Sequence, residues 1–202
     1  MCEMHIYWIG LVESTGGDIM EIERMFLLML HVLCVVGAAI GIAFADLSLF
    51  KGRQVDRGLL RTGSQLVAAM LGLLWVTGLL IIWIDTRFDL AVMMARPKLV
   101  AKLSVALLLT LNGHLLHRFF FSAVSQPPVN ARRAANLAAV MAAVSGASWL
   151  YAGFLGLAKP LAAFMSLAGF AVIFLGVLTL CGLCVVRWVR PRMLQICQRP
   201  LA

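Results

Sequence analysis

The sequence predicts an all-α polytopic membrane protein, a bundle of five transmembrane helices. Of its 202 residues, 62% are hydrophobic and only 13% are charged, whereas soluble domains are near 45–50% apolar and about 25% charged. Five apolar runs each exceed the ~18 residues that a helix needs to cross the hydrocarbon of a bilayer. Because lipid offers the backbone no hydrogen-bond partners, runs that are continuously apolar predict helices rather than strands.

The five predicted spans are Met25–Asp46, Leu66–Ile84, Leu99–Phe120, Ala134–Ala158 and Leu161–Val186.

The segments between these runs have the composition of connections. Lys51–Gln65 is polar, and Asp85–Lys98 ends with Pro97, which suits the first turn of a helix. The third connection contains Pro127–Pro128, which cannot continue a helix. The fourth is only Lys159–Pro160, which predicts a tight antiparallel hairpin of the last two spans.

The termini differ in charge from each other and from the spans. Residues 1–24 carry five acids and one arginine, and they lack the basic segment followed by an apolar core of a signal peptide. We expect them to form an extracytoplasmic segment before a five-helix domain at residues 25–186. Residues 187–202 are expected to form a basic cytoplasmic tail.

Basic residues are distributed in a way that predicts topology. No Asp or Glu follows Asp89, and the basic residues beyond it lie between apolar runs. They indicate topology and contact with anionic lipid rather than nucleic acid. Eleven of the 17 Lys and Arg residues fall on the side that contains the first connection and the tail. The positive-inside rule therefore predicts that the N-terminus lies outside and the C-terminus in the cytoplasm. The expected location is a bacterial-type inner membrane.

Small residues in the spans predict close helix packing. Gly37 and Gly41 form a small-xxx-small motif in the first span. Such motifs let two helix backbones approach closely in lipid. The expected partners of the chain are accordingly the lipid bilayer and, in one alternative, other membrane-protein subunits.

His31 and Lys102 are the ionisable residues near the outer ends of their spans. Ionisable groups in a span are costly and often functional. Together they would suit a haem, since a histidine nitrogen can bind the iron and a lysine can pair with a propionate. His114 lies roughly 13 Å deeper than His31, so a haem held by these two histidines is disfavoured. The alternative is that His31 bonds a Ser, Thr or carbonyl of a neighbouring helix while Lys102 extends to the headgroups.

A metal site is predicted at the opposite ends of the same spans. His114 and His117 are three residues apart and share a helix face. Asp46 closes the first span near the same level. Two histidines and a carboxylate are an acceptable ligand set for a transition metal. The alternative is that His117 lies among the headgroups while His114 bridges helices.

Several short motifs resemble one known group of membrane proteins. They are Leu30–His31, Asp46–Phe50, Trp75-Val-Thr-Gly78, Ala101–Leu103 and Asn112-Gly-His114.

Over residues 25–120 the chain resembles the HemJ-type protoporphyrinogen oxidases and the copper-resistance D-type membrane proteins. This resemblance implies a haem b bound through His31 and a functional role for Lys102. The second half departs from the family pattern because its final span contains no acid. The resemblance therefore concerns the fold and the haem site rather than oxidase activity.

The function predicted from the sequence is haem or metal binding in a redox or cofactor-handling role. The alternative is a non-catalytic subunit or assembly factor of a larger membrane complex, in which the helices are packing surfaces. No phosphate-binding loop, nucleophile triad or paired-carboxylate motif is present in the sequence. No catalytic residue is therefore assigned.

Overall fold

A computed structural model of the chain describes residues 2–51, 55–125, 130–158 and 160–198, and this part contains helices and no strands. The predicted all-α class is confirmed. Pro127–Pro128 and Lys159, which are predicted to belong to connections, lie outside these residues. The helices are α1 (Cys2–Phe50), α2 (Arg57–Thr86), α3 (Leu90–Met94), α4 (Pro97–Ser125), α5 (Ala131–Leu157), α6 (Leu167–Cys184) and α7 (Arg190–Gln198).

The prediction of five membrane spans is also confirmed. In the part of the chain that the structure describes, five helical segments are long and apolar enough to cross a bilayer. The chain is therefore a multi-pass integral membrane protein. The segments are Glu21–Phe50, Arg57–Thr86, Pro97–Arg118, Ala131–Leu157 and Leu167–Gln195.

The first helix begins well before the first predicted span. α1 contains 49 residues without a break, which corresponds to about 74 Å at the helical rise. A helix of this length exceeds the ~30 Å of bilayer hydrocarbon. The backbone around residue 24, where the sequence places the end of a separate segment, is thus continuous helix.

The last span begins six residues later than the sequence predicts, so the prediction of a two-residue connection was wrong. Pro160–Ala163 forms a short 3-10 helix, and α6 begins at Leu167. The reason is local capping, because the Ser166 hydroxyl accepts a hydrogen bond from the Gly169 N–H at 3.3 Å. A serine cap defines a helix start that hydropathy alone does not show.

A π-helical turn, Val185–Val189, joins α6 to α7. The Arg190 N–H bonds the Val185 carbonyl, five residues back. Pro191 explains this turn, because it has no N–H to give to the Arg187 carbonyl and its ring crowds that carbonyl. The helix widens locally and continues, so the tail predicted at residues 187–202 is helical through Gln198.

The chain divides into two compact units. The first comprises Met1–Leu47 and Arg57–Phe88, and the second comprises Ser48–Asp56 and Asp89–Ala202.

In the first unit, α1 and α2 pack as an antiparallel hairpin. Contacts pair Arg24 with Asp85, His31 with Thr77 and Gly37 with Met70. From one contact to the next, the residue numbers rise along α1 and fall along α2, as antiparallel packing requires. On α1, Cys34 and Ala38 are 2% and 0% exposed, and the contact positions recur at heptad-like spacing. This spacing is typical of long helices that cross at about 20°.

The helices of this hairpin come closest at two glycines. A Cβ atom built on Gly63 would lie 2.7 Å from the Gly41 carbonyl oxygen and 2.8 Å from the Ala45 nitrogen. A Cβ on Gly41 would lie 3.0 Å from both the Gly63 carbonyl oxygen and the Val67 nitrogen. Because these neighbours are backbone atoms, neither position accommodates a side chain without moving a helix.

We therefore expect Gly63→Ala to lower the free energy of unfolding by roughly 1–3 kcal/mol, the usual cost of overpacking. Gly72→Ala is the matched control on the same helix, since nothing lies within 4 Å of a Cβ there. Thermal unfolding in mild detergent measures both. Equal melting temperatures for the two variants would contradict the close approach.

In the second unit, α5 is central and packs against α4, α6 and α7. Its buried face is lined by small residues at four-residue spacing, which allows close helix approach in lipid. They are Ala135, Ala139, Ala143 and Ala147. A core cluster joins three of the helices: Ala101 and Val105 of α4, Tyr151 and Leu155 of α5, and Phe170 of α6.

Two hydrogen bonds from buried side chains cross between helices in this unit. The Tyr151 hydroxyl donates to the Phe170 carbonyl at 2.7 Å, and the Asn112 amide donates to the Met141 carbonyl at 3.0 Å. Tyr151 also contacts Phe174, with ring centroids 5.2 Å apart. These bonds hold α4 and α6 against α5 at defined positions.

Tyr151→Phe should lower stability by about 1 kcal/mol, because it removes the hydroxyl and keeps the ring contacts. Thr179→Val is the control, since the Thr179 hydroxyl bonds only the Leu175 carbonyl of its own helix. Denaturant titration in micelles compares the two. A loss as large in Thr179→Val as in Tyr151→Phe would exclude a special role for the interhelix bond.

Candidate functional site

His31, the predicted haem ligand, lies on the face of α1 that packs against α2. Its ring is half-buried, and its Nδ1 lies 2.8 Å from the Thr77 hydroxyl oxygen. The ring Cε1 also lies 3.5 Å from the place of a Cβ atom on Gly78. The imidazole is therefore held at the contact between the two helices of the hairpin.

The hydrogen bonds of Thr77 favour one tautomer of His31. The Thr77 hydroxyl lies 2.8 Å from the Leu73 carbonyl of its own helix, and a carbonyl can only accept. When the hydroxyl proton is given to the Leu73 carbonyl, the oxygen accepts from His31. In that arrangement Nδ1 of His31 carries the hydrogen, and in the neutral ring the lone pair lies on Nε2.

This arrangement is chemically suited to a ligand. Histidines that bind metals commonly donate their second ring N–H to a fixed acceptor, which sets the tautomer and the ring orientation. It is also the bond expected in the alternative in which His31 only bonds a threonine of a neighbouring helix. The geometry supplies an oriented imidazole, and its role as a ligand stays a prediction.

An ion pair closes the hairpin two helical turns before His31. Arg24 Nε donates to Asp85 Oδ1 at 2.9 Å, and its Nη2 donates to Oδ2 at 3.4 Å. Two residues after Asp85 the backbone leaves the helix, with φ of 51° at Arg87 and 58° at Phe88. The Arg87 guanidinium lies 4.9 Å from the centre of the Trp83 ring. These contacts fix the end of α2 against α1. They therefore also fix the position of Thr77 relative to His31 along the helix pair.

Lys102 lies in the first turns of α4, in the second unit, and its side chain is exposed. The predicted pairing of Lys102 with a haem propionate stays a prediction.

The three predicted metal ligands all have exposed side chains. His114 and His117 lie on α4, and Asp46 lies near the end of α1. Within the described ranges, no three His, Cys, Asp or Glu side chains come together as a group that could hold a metal ion. The structure therefore gives this metal site no support, and it stays a prediction.

Sequence reasoning gave no role to Thr77, although a signal was present. Thr77 is part of the Trp75-Val-Thr-Gly78 motif on which the family resemblance partly rests. A threonine in an apolar span is usually satisfied by its own helix, so its second contact depends on the pairing of α1 with α2. Arg24 and Asp85 likewise carried opposite charges at the ends of consecutive spans, which is a signal for an ion pair.

Comparison with known proteins found no match to a protein-family model, to a curated protein or to a solved structure.

Proposed function

We propose that this integral membrane protein binds haem b through Nε2 of His31 and serves a redox or cofactor-handling role. The observation that carries the proposal is the His31–Thr77 hydrogen bond, at 2.8 Å, in a half-buried position between two helices. The rest of the first unit contributes a rigid frame for that ring.

The residues present fit such a group. A haem ligand needs a neutral imidazole whose second nitrogen is hydrogen-bonded, and the Nδ1–H of His31 meets this need. The apolar side chains around the hairpin would suit the porphyrin faces. When bound, haem iron supplies one-electron redox chemistry, with a potential set by the ligands and the surroundings.

The chain's own residues have separate tasks in this proposal. His31 supplies the donor atom, and Thr77 orients the ring. The Thr77 hydroxyl is itself fixed by the Leu73 carbonyl, so the orienting oxygen does not rotate. The Arg24–Asp85 ion pair keeps the two helices in register around this contact.

The first test is the absorption spectrum of the purified protein and its variants. Wild-type protein from haem-replete cells should show a Soret band, and His31→Ala should abolish it. Added imidazole should restore the band in His31→Ala, which separates a lost ligand from a lost fold. His114→Ala is the matched control, because its exposed histidine on α4 has no role in this proposal.

Thr77 gives a second and finer prediction. Thr77→Val removes the acceptor at nearly constant volume and should weaken haem binding about 10–100-fold, the usual effect of losing such a partner. Thr77→Ser keeps the hydroxyl and should stay close to wild type. Titration with added haem measures both variants. Equal affinities for the Val and Ser variants would remove Thr77 from the site.

Lys102 is tested by the same titration. Lys102→Ala should weaken haem retention without abolishing the Soret band. Lys102→Arg should retain haem better than Lys102→Ala does, because the cation remains. If the wild-type protein purifies colourless and binds no added haem, the haem proposal fails. The alternative, a non-catalytic subunit or assembly factor of a larger membrane complex, then becomes the preferred function.

We further propose an inner-membrane location with the N-terminus outside and the C-terminus in the cytoplasm. The uneven division of Lys and Arg between the two sides supports this orientation. The structure adds that Arg187, Arg190 and Arg192 belong to a helix that continues the last span.

A reporter that is active only in the cytoplasm tests this orientation. Fused after Ala202, it should be active. Inserted within Asp85–Lys98, it should be silent. The opposite pattern would reverse the orientation and leave the His31–Thr77 geometry unchanged.

A further inference from the structure

We propose that four arginines where α5 meets the π-helical turn and α7 form a binding surface for the headgroups of anionic phospholipids. We call Arg132, Arg133, Arg187 and Arg190 the arginine surface.

Contacts between α5 and α7 bring these arginines together. Arg190 Nε donates to the Asn136 side-chain oxygen at 2.8 Å. Arg132 and Arg133 precede Asn136 by four and three residues, so they lie on the same side of α5. Arg187 precedes Arg190 by three residues in the turn that packs against α5. All four lie within the second unit.

The protein holds this charge without neutralising it. Arg190 bonds a neutral amide, which orients the guanidinium and leaves its full positive charge. Within the described part of the chain, none of the four arginines forms an ion pair. No Asp or Glu follows Asp89 in the sequence, so the helices that carry the four arginines contain no carboxylate. Four like charges at one end of a bundle therefore call for anions from outside the chain.

The position of the surface identifies the source of those anions. Leu183, Val186 and Trp188 are 64%, 58% and 69% exposed, so the lipid-facing side of the last span ends among the arginines. On α5, exposed Leu137 and Val140 follow Arg132 and Arg133 in the same way. Apolar residues that lead into arginines on either side of an aromatic ring match the passage of a bilayer from hydrocarbon to headgroups.

The tail helix is anchored in a way that keeps the surface in place. Arg192 Nε donates to the Leu49 carbonyl at 2.9 Å, near the end of α1. Together with the Arg190–Asn136 bond, it fixes α7 at two points. The Arg190 guanidinium, which the bond to Asn136 orients, binds phosphate oxygens with less loss of side-chain entropy than a free one. Because the four arginines together carry net positive charge, anionic phospholipid should be enriched here over zwitterionic phospholipid.

Quenching of Trp188 fluorescence measures this enrichment. The full-length protein is placed in nanodiscs of phosphatidylcholine and phosphatidylglycerol, with brominated chains on one lipid at a time. The Trp188→Phe protein gives the signal of the other tryptophans, which is subtracted. Bromine on phosphatidylglycerol should quench Trp188 more than the same fraction of bromine on phosphatidylcholine. The difference should shrink as salt is added, because exposed charges are screened.

Variants connect the enrichment to the four arginines. Each Arg→Gln change should weaken the relative association of phosphatidylglycerol about fivefold. Asn136→Asp, which sets a carboxylate beside Arg190, should act like Arg190→Gln, whereas Asn136→Ala should weaken association less. Arg96→Gln removes an exposed arginine immediately before α4, at the end of that helix far from the start of α5, and should leave Trp188 quenching unchanged.

Folding is checked separately, by melting each variant in discs of phosphatidylcholine alone. If the quadruple Gln variant does not fold, the quadruple Lys variant keeps the charge and should keep most of the enrichment. Equal quenching of wild-type Trp188 by the two brominated lipids at low salt would overturn the proposal. So would an equal loss in Arg96→Gln and Arg190→Gln.

Discussion

The hydrocarbon of the bilayer gives polar side chains no partner, and this constraint determines where the protein places them. Each buried polar contact described above ends at a protein atom. Thr77 and Asn112 reach backbone carbonyls, and Tyr151 does the same across a helix boundary. Because the carbonyls lie at defined heights along each helix, these few bonds fix the register of surfaces that are otherwise smooth and apolar.

Much of the fold follows from the sequence because hydropathy and helix length are strongly linked in a membrane. The spans are the longest apolar runs, so their number and approximate bounds could be predicted. The start of α6 could not, because it depends on a single cap at Ser166 that lies inside an apolar run. The π-helical turn before Pro191 has a sequence signal, the proline, but hydropathy does not distinguish a kink from a widened turn.

The proposed ligand of the candidate site, His31, could be predicted from the sequence, but the residue that orients it, Thr77, could not. His31 is conspicuous because a histidine in an apolar span is rare. Thr77 is not, since threonine is common in membrane helices and satisfies itself locally. Its partnership with His31 emerges only when α1 and α2 are paired in register, and that register depends on the backbone contact at Gly41 and Gly63. Two glycines elsewhere in the hairpin thus help to position Thr77, which is 46 residues from His31 in the sequence.

Because the contact with Thr77 uses Nδ1 of His31, the pairing of α1 with α2 does not use the nitrogen that is proposed to bind a ligand. The bond that joins the two helices uses one nitrogen of His31, and any chemistry of the lone pair takes place at the other. In the proposed function, a haem at Nε2 would leave the interhelix bond at Nδ1 in place. On that proposal the helix pair would form in the membrane before haem binds, and it would persist after haem leaves.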